Sequence, residues 1–170
     1  MSELANIVGY QCVWFIAVLG AARASSWPAV VALIGFGTLQ LSLSRRRRAD
    51  LRTLAASIAA GIVVDGALAH TGLVVYATPL PALVAPLWIL AIWSAFGLTL
   101  GHSLAFLQRR PWLAASLGAA GAPLAYLAAA RVDAIRVDGA GLLAVGMTWA
   151  VALPLLSEWS RTADAVEVTA

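Results

Sequence analysis

The sequence predicts an all-α polytopic membrane protein, a bundle of six transmembrane helices with both termini in the cytoplasm (N-in/C-in). Three observations carry that expectation. Of the 170 residues, 62% are hydrophobic and only 11% charged. The apolar residues fall into six runs of near-spanning length, and the arginines collect in the gaps between them. Soluble domains run to about half apolar and a quarter charged, and here too little polar side chain is available to cover a water-facing surface. A single domain over 1–162 is expected, with 163–170 a short disordered cytoplasmic tail.

Hydrocarbon about 30 Å thick takes roughly 20 mainly apolar helical residues to cross. The first window, Leu4–Ala22, follows Met1-Ser2-Glu3. With no basic n-region and no cleavage site before Ala22, it reads as a retained helix rather than a signal peptide. Trp27–Leu43 is the second and, like the first, a little short. Leu51–Tyr76 is long enough to tilt. Ala82–Leu107, Trp112–Ala130 and Gly139–Trp159 complete the set. Continuous Ala/Leu-rich runs without alternation make strands poor candidates.

Charge placement orients the bundle. All eleven basic residues are Arg. Arg45–Arg48, Arg52, Arg109, Arg110 and Arg161 fall on one side, against Arg23, Arg131 and Arg136 on the other. The eight mark the cytoplasmic side. The same placement in short gaps excludes a basic groove for nucleic acid. Three helices on each side of the central gap have the parity of an inverted repeat, without residue-level similarity between the halves. That gap, 77–87, carries Pro79, Pro81 and Pro86 and reads either as an extended periplasmic connection or as a re-entrant segment. Trp27, Trp88, Trp112 and Trp159 stand at window ends, where indoles anchor at the interface. Trp14, Trp93 and Trp149 fall near window centres and must fill space or line a pocket.

Asp65 is the most informative residue. It sits near the middle of the third window, where a carboxylate costs on the order of 3 kcal/mol. It must be protonated, paired or facing a wet cavity; it either serves function or ties helices together. Depth counting gives it the company of Trp14, Trp93, Ser94, Tyr126, Thr148 and Trp149, an expected midplane binding pocket. Asn6, Tyr10 and Trp14 recur every four residues and share a face, with Gln11 beside it. That polar first-helix face either bonds neighbouring helices or leads to the site. Gln40 and Glu158, near cytoplasmic ends, are expected to be solvated.

Other chemistries find less support. The lone Cys12 is expected to be a buried small hydrophobe. His70 and His102 lie at depths differing by roughly 15 Å and cannot share a metal or a haem. No metal, cofactor or catalytic residue is expected. His clusters, a Gly-x-Ser-Gly nucleophile, paired aspartates for Mg²⁺ and a phosphate loop are all missing from the sequence.

Asn6, Gln11 and Trp14, then Asp65 and Gly72, Pro86-Leu87-Trp88 leading to Trp93 and Phe96, Gly118 with Gly121-Ala122-Pro123 and Tyr126, and finally Trp149 and Pro154 follow an order. In that order the chain resembles a family of small Gammaproteobacterial inner-membrane proteins, domain of unknown function 2878, over almost its whole length. Ala122, in place of a second glycine before the proline, and His70 depart from that pattern. The resemblance implies a multi-pass inner-membrane protein. Relatives encoded beside fatty-acid-modifying and redox enzymes imply a link to lipid metabolism. The expected partners are membrane lipids, a hydrophobic small molecule, and a second copy or another membrane protein. An inner-membrane lipid-binding or accessory protein is the first functional expectation. A proton-coupled carrier using Asp65 is the second. An acyl-lipid enzyme ranks last, for want of a nucleophile, metal set or cofactor motif.

Overall fold

The computed structural model describes residues 2–77 and 85–168, with side chains up to residue 165. These form six α-helices: α1 Glu3–Ala21, α2 Trp27–Leu43, α3 Arg47–His70, α4 Leu87–Gly97, α5 Pro111–Ala130 and α6 Gly139–Val168. Two short strands, β1 Val74–Tyr76 and β2 Ile135–Val137, accompany them.

Local chemistry sets the helix ends. The Ser2 hydroxyl accepts from the Ala5 N–H at 3.3 Å, and Glu3 complements the first turn of α1. Pro28 and Pro111 occupy the first turns of α2 and α5, where a missing N–H costs nothing. Asp138 accepts from the Gly141 N–H at 2.8 Å at the start of α6. Helices α1, α3 and α5 are each followed by a residue in the left-handed region: Ala24 (φ 55°), Gly72 (φ 72°) and Asp133 (φ 61°). After α3 and α5 the reversal leads into the strands, which pair antiparallel with Val75 opposite Arg136.

The helical class holds, and several element bounds differ from expectation. Helix α3 begins four residues early, so Arg47, Arg48 and Arg52 lie in its first turns rather than in a gap. It stops at His70 because Gly72 turns the chain, and the β-branched and aromatic residues beyond become β1, where no strand was expected. The fourth window shrinks to the 11-residue α4, about 16 Å long. From Leu98 onward that window folds into turns and a 3₁₀ turn at Ala105–Leu107. Thr99 organises those turns: its carbonyl accepts from the N–H groups of His102 and Leu104, both at 2.9 Å. Helix α6 continues past Trp159 to Val168, so 163–168 are helical rather than a disordered tail. Most of the proline-rich segment 77–87 lies outside the described residues.

Four helices, α1, α3, α5 and α6 as far as Ala165, are long and apolar enough to cross a membrane, whereas α2 and α4 are shorter. The distribution of polarity is inside-out for water. Phe15, Val31, Ile34, Val63, Leu124, Leu143 and Leu155 face outward, while Asn6, Gln40, Ser57, Asp65 and Thr99 are fully buried. Such an exterior suits hydrocarbon, and the polar groups find partners within. The chain is helical, and four of its helices have the length and apolarity of membrane spans.

Helix α4 is the buried centre, packed on α1, α2 and α3, while α5 packs on α6 and α6 on α3. Small residues allow close crossings. A Cβ on Gly97 would come within 2.8 Å of Ser57, and one on Gly118 would collide with the Trp149 carbonyl. At one end Asn6 Nδ2 donates to Gln40 Oε1 (3.0 Å) and to the Leu98 carbonyl (3.1 Å), and the Ser103 hydroxyl donates to Asn6 Oδ1 (2.6 Å). There too Asp50 meets His102 Nε2 at 3.0 Å, and Arg46 meets Asp164 at 2.8 Å. This arginine end gathers the starts of α1 and α3 with the later parts of α2 and α6. The β-ribbon marks the opposite end.

Candidate functional site

Asp65 is fully buried, and three side chains converge on it. The Tyr76 hydroxyl donates to Oδ1 at 2.5 Å, the Trp93 indole N–H donates to Oδ2 at 2.6 Å, and the Tyr126 hydroxyl also donates to Oδ1. An indole can only donate, so Oδ2 must accept. One carboxyl thus ties α3 to β1, α4 and α5. The same face of α3 makes room for its partner: a Cβ on Gly61, one turn earlier, would lie 2.5 Å from the Trp93 ring. One turn before that, the Ser57 hydroxyl donates to the Trp93 carbonyl at 2.7 Å. Trp93 is thereby held by three successive turns of α3 and stacks on Trp149, ring centroids 4.3 Å apart at 21°.

Beside this knot lies a cavity of about 270 Å³. Tyr10 and Trp14 of α1 form one wall, and Gly121, Ala122 and Tyr126 of α5 the other. Trp88, Trp93 and Phe96 of the buried α4 form the floor, with Trp149 of α6 beside them. Ile7, Leu104 and Leu107 close the arginine end, and Ile135 of β2 the ribbon end. Helix α1 packs on α2 and α4, and α5 on α6 and β2, so the cavity is a cleft flanked by the two. Its rim carries the exposed Leu117 and Gly121 and therefore opens on the apolar exterior.

Of the residues expected at a midplane pocket, the structure gathers Trp14, Trp93, Tyr126 and Trp149 around the cleft, with Tyr10. Asp65 stands behind that wall and does not line it. Nor is it central on its helix. Because α3 ends at His70, Asp65 lies five residues, about 8 Å, from the ribbon end. Ser94 and Thr148 do not join: their hydroxyls donate to carbonyls in their own helices, and Thr148 faces an outer groove between α3 and α6. On the first helix Asn6 belongs to the polar knot at the arginine end, and Gln11 faces outward.

Cys12 is exposed rather than buried. Gln40 is buried against Asn6 rather than solvated, whereas Glu158 is exposed and paired with Arg161. His70 is exposed at the end of α3, and His102 bonds Asp50 near its start, about 30 Å away along the helix. Among the described residues no three His, Cys, Asp or Glu side chains assemble as a metal site.

Two features escaped the sequence reading. Tyr76 counted as the last residue of a helix, yet it is a strand residue that bonds Asp65. Trp88 read as an interfacial anchor because it follows Pro86-Leu87 at a window end, yet it is only 1% exposed and packs edge-on to Tyr76. The apolar residues that continue past it were the available hint that it lies inside.

Comparison with curated proteins and with solved structures yields no match. A family model, described as a protein of unknown function, matches residues 3–155. By that match, which covers most of the chain, the protein belongs to the DUF2878 family.

Proposed function

We propose that this protein binds an elongated apolar molecule, a membrane lipid or comparable hydrophobic compound, in the cleft between α1 and α5. The observation that carries the reading is the aromatic-walled cavity opening on the apolar exterior. A cavity of roughly 150 Å³ with apolar walls suffices for benzene, and ligand pockets begin near 300 Å³; this one stands close to that lower bound. Asp65 takes the polar tips of Trp93 and Tyr126, which leaves their rings as fixed apolar walls. Its role is to position them, not to touch the ligand. On the same footing we place the protein in a bacterial inner membrane, with six passes and both termini cytoplasmic. The eight arginines at the arginine end favour that orientation.

Gly121 provides the test. It lines the cleft, and a Cβ there would meet nothing within 4 Å. Gly121→Leu therefore fills the cleft without displacing protein. A diazirine-bearing acyl lipid, photolysed with the protein in nanodiscs, should label Tyr10, Trp14 or Tyr126 in the wild type. Labelling should fall about tenfold in Gly121→Leu with its melting temperature unchanged. Equal labelling of both proteins would remove the cleft as the binding site.

A further inference from the structure

We infer that the cleft selects an unsaturated chain, whose flat runs of sp² carbon lie against its aromatic walls, over the saturated chains of the surrounding bilayer. The inference rests on the cleft-binding reading and names the chemistry of the ligand that this binding favours.

Apolar burial alone cannot choose an occupant here. A chain that leaves a bilayer for the cleft passes from one hydrocarbon surrounding to another, so the hydrophobic effect that would drive it out of water is absent. What selects must be a contact that neighbouring lipid tails do not offer. The lining supplies one. Aromatic residues make up 8% of the chain, yet among the described residues seven of the twenty-one that line the cleft are aromatic. The outer groove between α3 and α6 gives the contrast: Ala, Val, Leu, Met and Thr line it, with no aromatic ring among the described residues. Aromatic faces are negative and their edges positive, so they favour other π-systems, in offset or edge-on contact, beyond what area burial gives. A saturated chain has no π-system to answer them.

The rings form a connected and fixed surface. Tyr10 meets Phe96 with centroids 5.8 Å apart. Phe96 stands edge-on to Trp149 at 5.3 Å and to Trp93 at 6.4 Å, and those two indoles stack on each other. Asp65 takes the polar tips of Trp93 and Tyr126, and the indole nitrogens of Trp88 and Trp149 are enclosed within the wall. These four residues therefore meet the cleft with ring carbon, not with a polar atom.

Charge and size agree with a chain segment as the part held. No Arg, His, Asp or Glu lines the cleft, so a polar head gains nothing by entering and would lose its hydration. If roughly 150 Å³ suits the six carbons of benzene, a cavity of about 270 Å³ houses on the order of eleven chain carbons. A stretch of a longer chain fits, with its head left outside the rim.

The test is competition with the diazirine probe on the full-length protein in nanodiscs, with labelling read at Tyr126. Two matched pairs are compared at equal mole fraction in the bilayer. Methyl parinarate, a conjugated polyene, is set against methyl stearate, and geranylgeraniol, an isoprenoid, against phytanol. Within each pair the carbon skeleton and head are the same and only the double bonds differ. An unsaturated member should displace the probe about three- to tenfold better than its saturated partner, and the pair that shows it tells a conjugated chain from an isoprenoid. Tyr10→Leu combined with Trp14→Leu strips the rings from α1 and keeps that wall apolar, so it should cut the preference by about half or more. The inference is overturned if neither unsaturated member displaces better than its partner on the wild type; cleft binding then stands without it. It is overturned equally if a folded double variant keeps the full preference. If the probe labels no residue of the cleft, the binding reading itself falls. Should the double variant fail to fold, the wild-type pairs still decide.

Discussion

Asp65 accepts from three donors on three different elements, and all three donor side chains are buried. Asp65→Ala strands all three. At about 1–3 kcal/mol for each unsatisfied buried group, the loss should be on the order of 3 kcal/mol or more, visible as a large drop in melting temperature in detergent. Asp65→Asn differs. Its amide oxygen can still take the Trp93 N–H, and its NH₂ can donate to a phenol oxygen, so a loss of about 1 kcal/mol and retained lipid labelling are expected. A carrier that titrates Asp65 would instead lose function in Asp65→Asn while keeping its fold. The importance of this residue was legible from sequence, since an acid in an apolar run needs a partner. Of its partners, depth counting placed Trp93 and Tyr126 among six neighbours and missed Tyr76. Tyr76, Trp93 and Tyr126 lie 11, 28 and 61 residues away, and no local pattern encodes such meetings. The same holds for Asp50 with His102, separated by 52 residues.

Among the helices, α5 offers the sharpest contrast. Gly118 and Gly121 are three residues apart, yet a Cβ on Gly118 strikes the Trp149 carbonyl while one on Gly121 meets open space. Gly118→Ala should force α5 and α6 apart at a cost of about 1–3 kcal/mol. Gly121→Ala should stay within about 0.5 kcal/mol of wild type; paired melting curves in one detergent check both. Helix extents followed from apolar run length for α1, α2 and α5, whose bounds fall within a residue of expectation. The reading failed at α4, because Leu98–Leu107 remains apolar after the helix has ended. Hydropathy cannot distinguish a buried run of turns from a buried helix. The structural signal there is Gly101, over which Arg46 lies so closely that a Cβ would collide with its guanidinium. Among the described residues, helix, left-handed turn and strand follow one another twice, at α3–β1 and at α5–β2.

For the whole molecule, the two ends differ in character. The arginine end is a dense polar knot of Asn6, Gln40, Asp50, His102, Arg46 and Asp164, whereas the ribbon end exposes Arg131 and Arg136 beside Asp133. With Cys12, the sole cysteine, replaced by Ala, single cysteines report orientation. A membrane-impermeant maleimide applied to intact spheroplasts should label Arg136→Cys and leave Arg109→Cys untouched until the cells are opened; the reverse pattern would invert the topology. Fold class and membrane residence came from bulk composition, which needs no knowledge of contacts. The cleft did not, because its walls come from four helices and a strand that meet only in the folded chain.

The triple attachment of Asp65 also bears on biogenesis. A ribosome delivers α3 to the membrane before it has made Trp93 or Tyr126, so for a time the acid stands in hydrocarbon with its later partners unsynthesised. The cost over that interval, below the about 2.5–3.5 kcal/mol of a helix centre because Asp65 stands five residues from the helix end, makes α3 a reluctant segment. Its residence is conditional on α4 and α5 arriving behind it. The residue that locks the finished bundle is therefore also the one that delays its assembly, until Tyr126, 61 residues on, has been made.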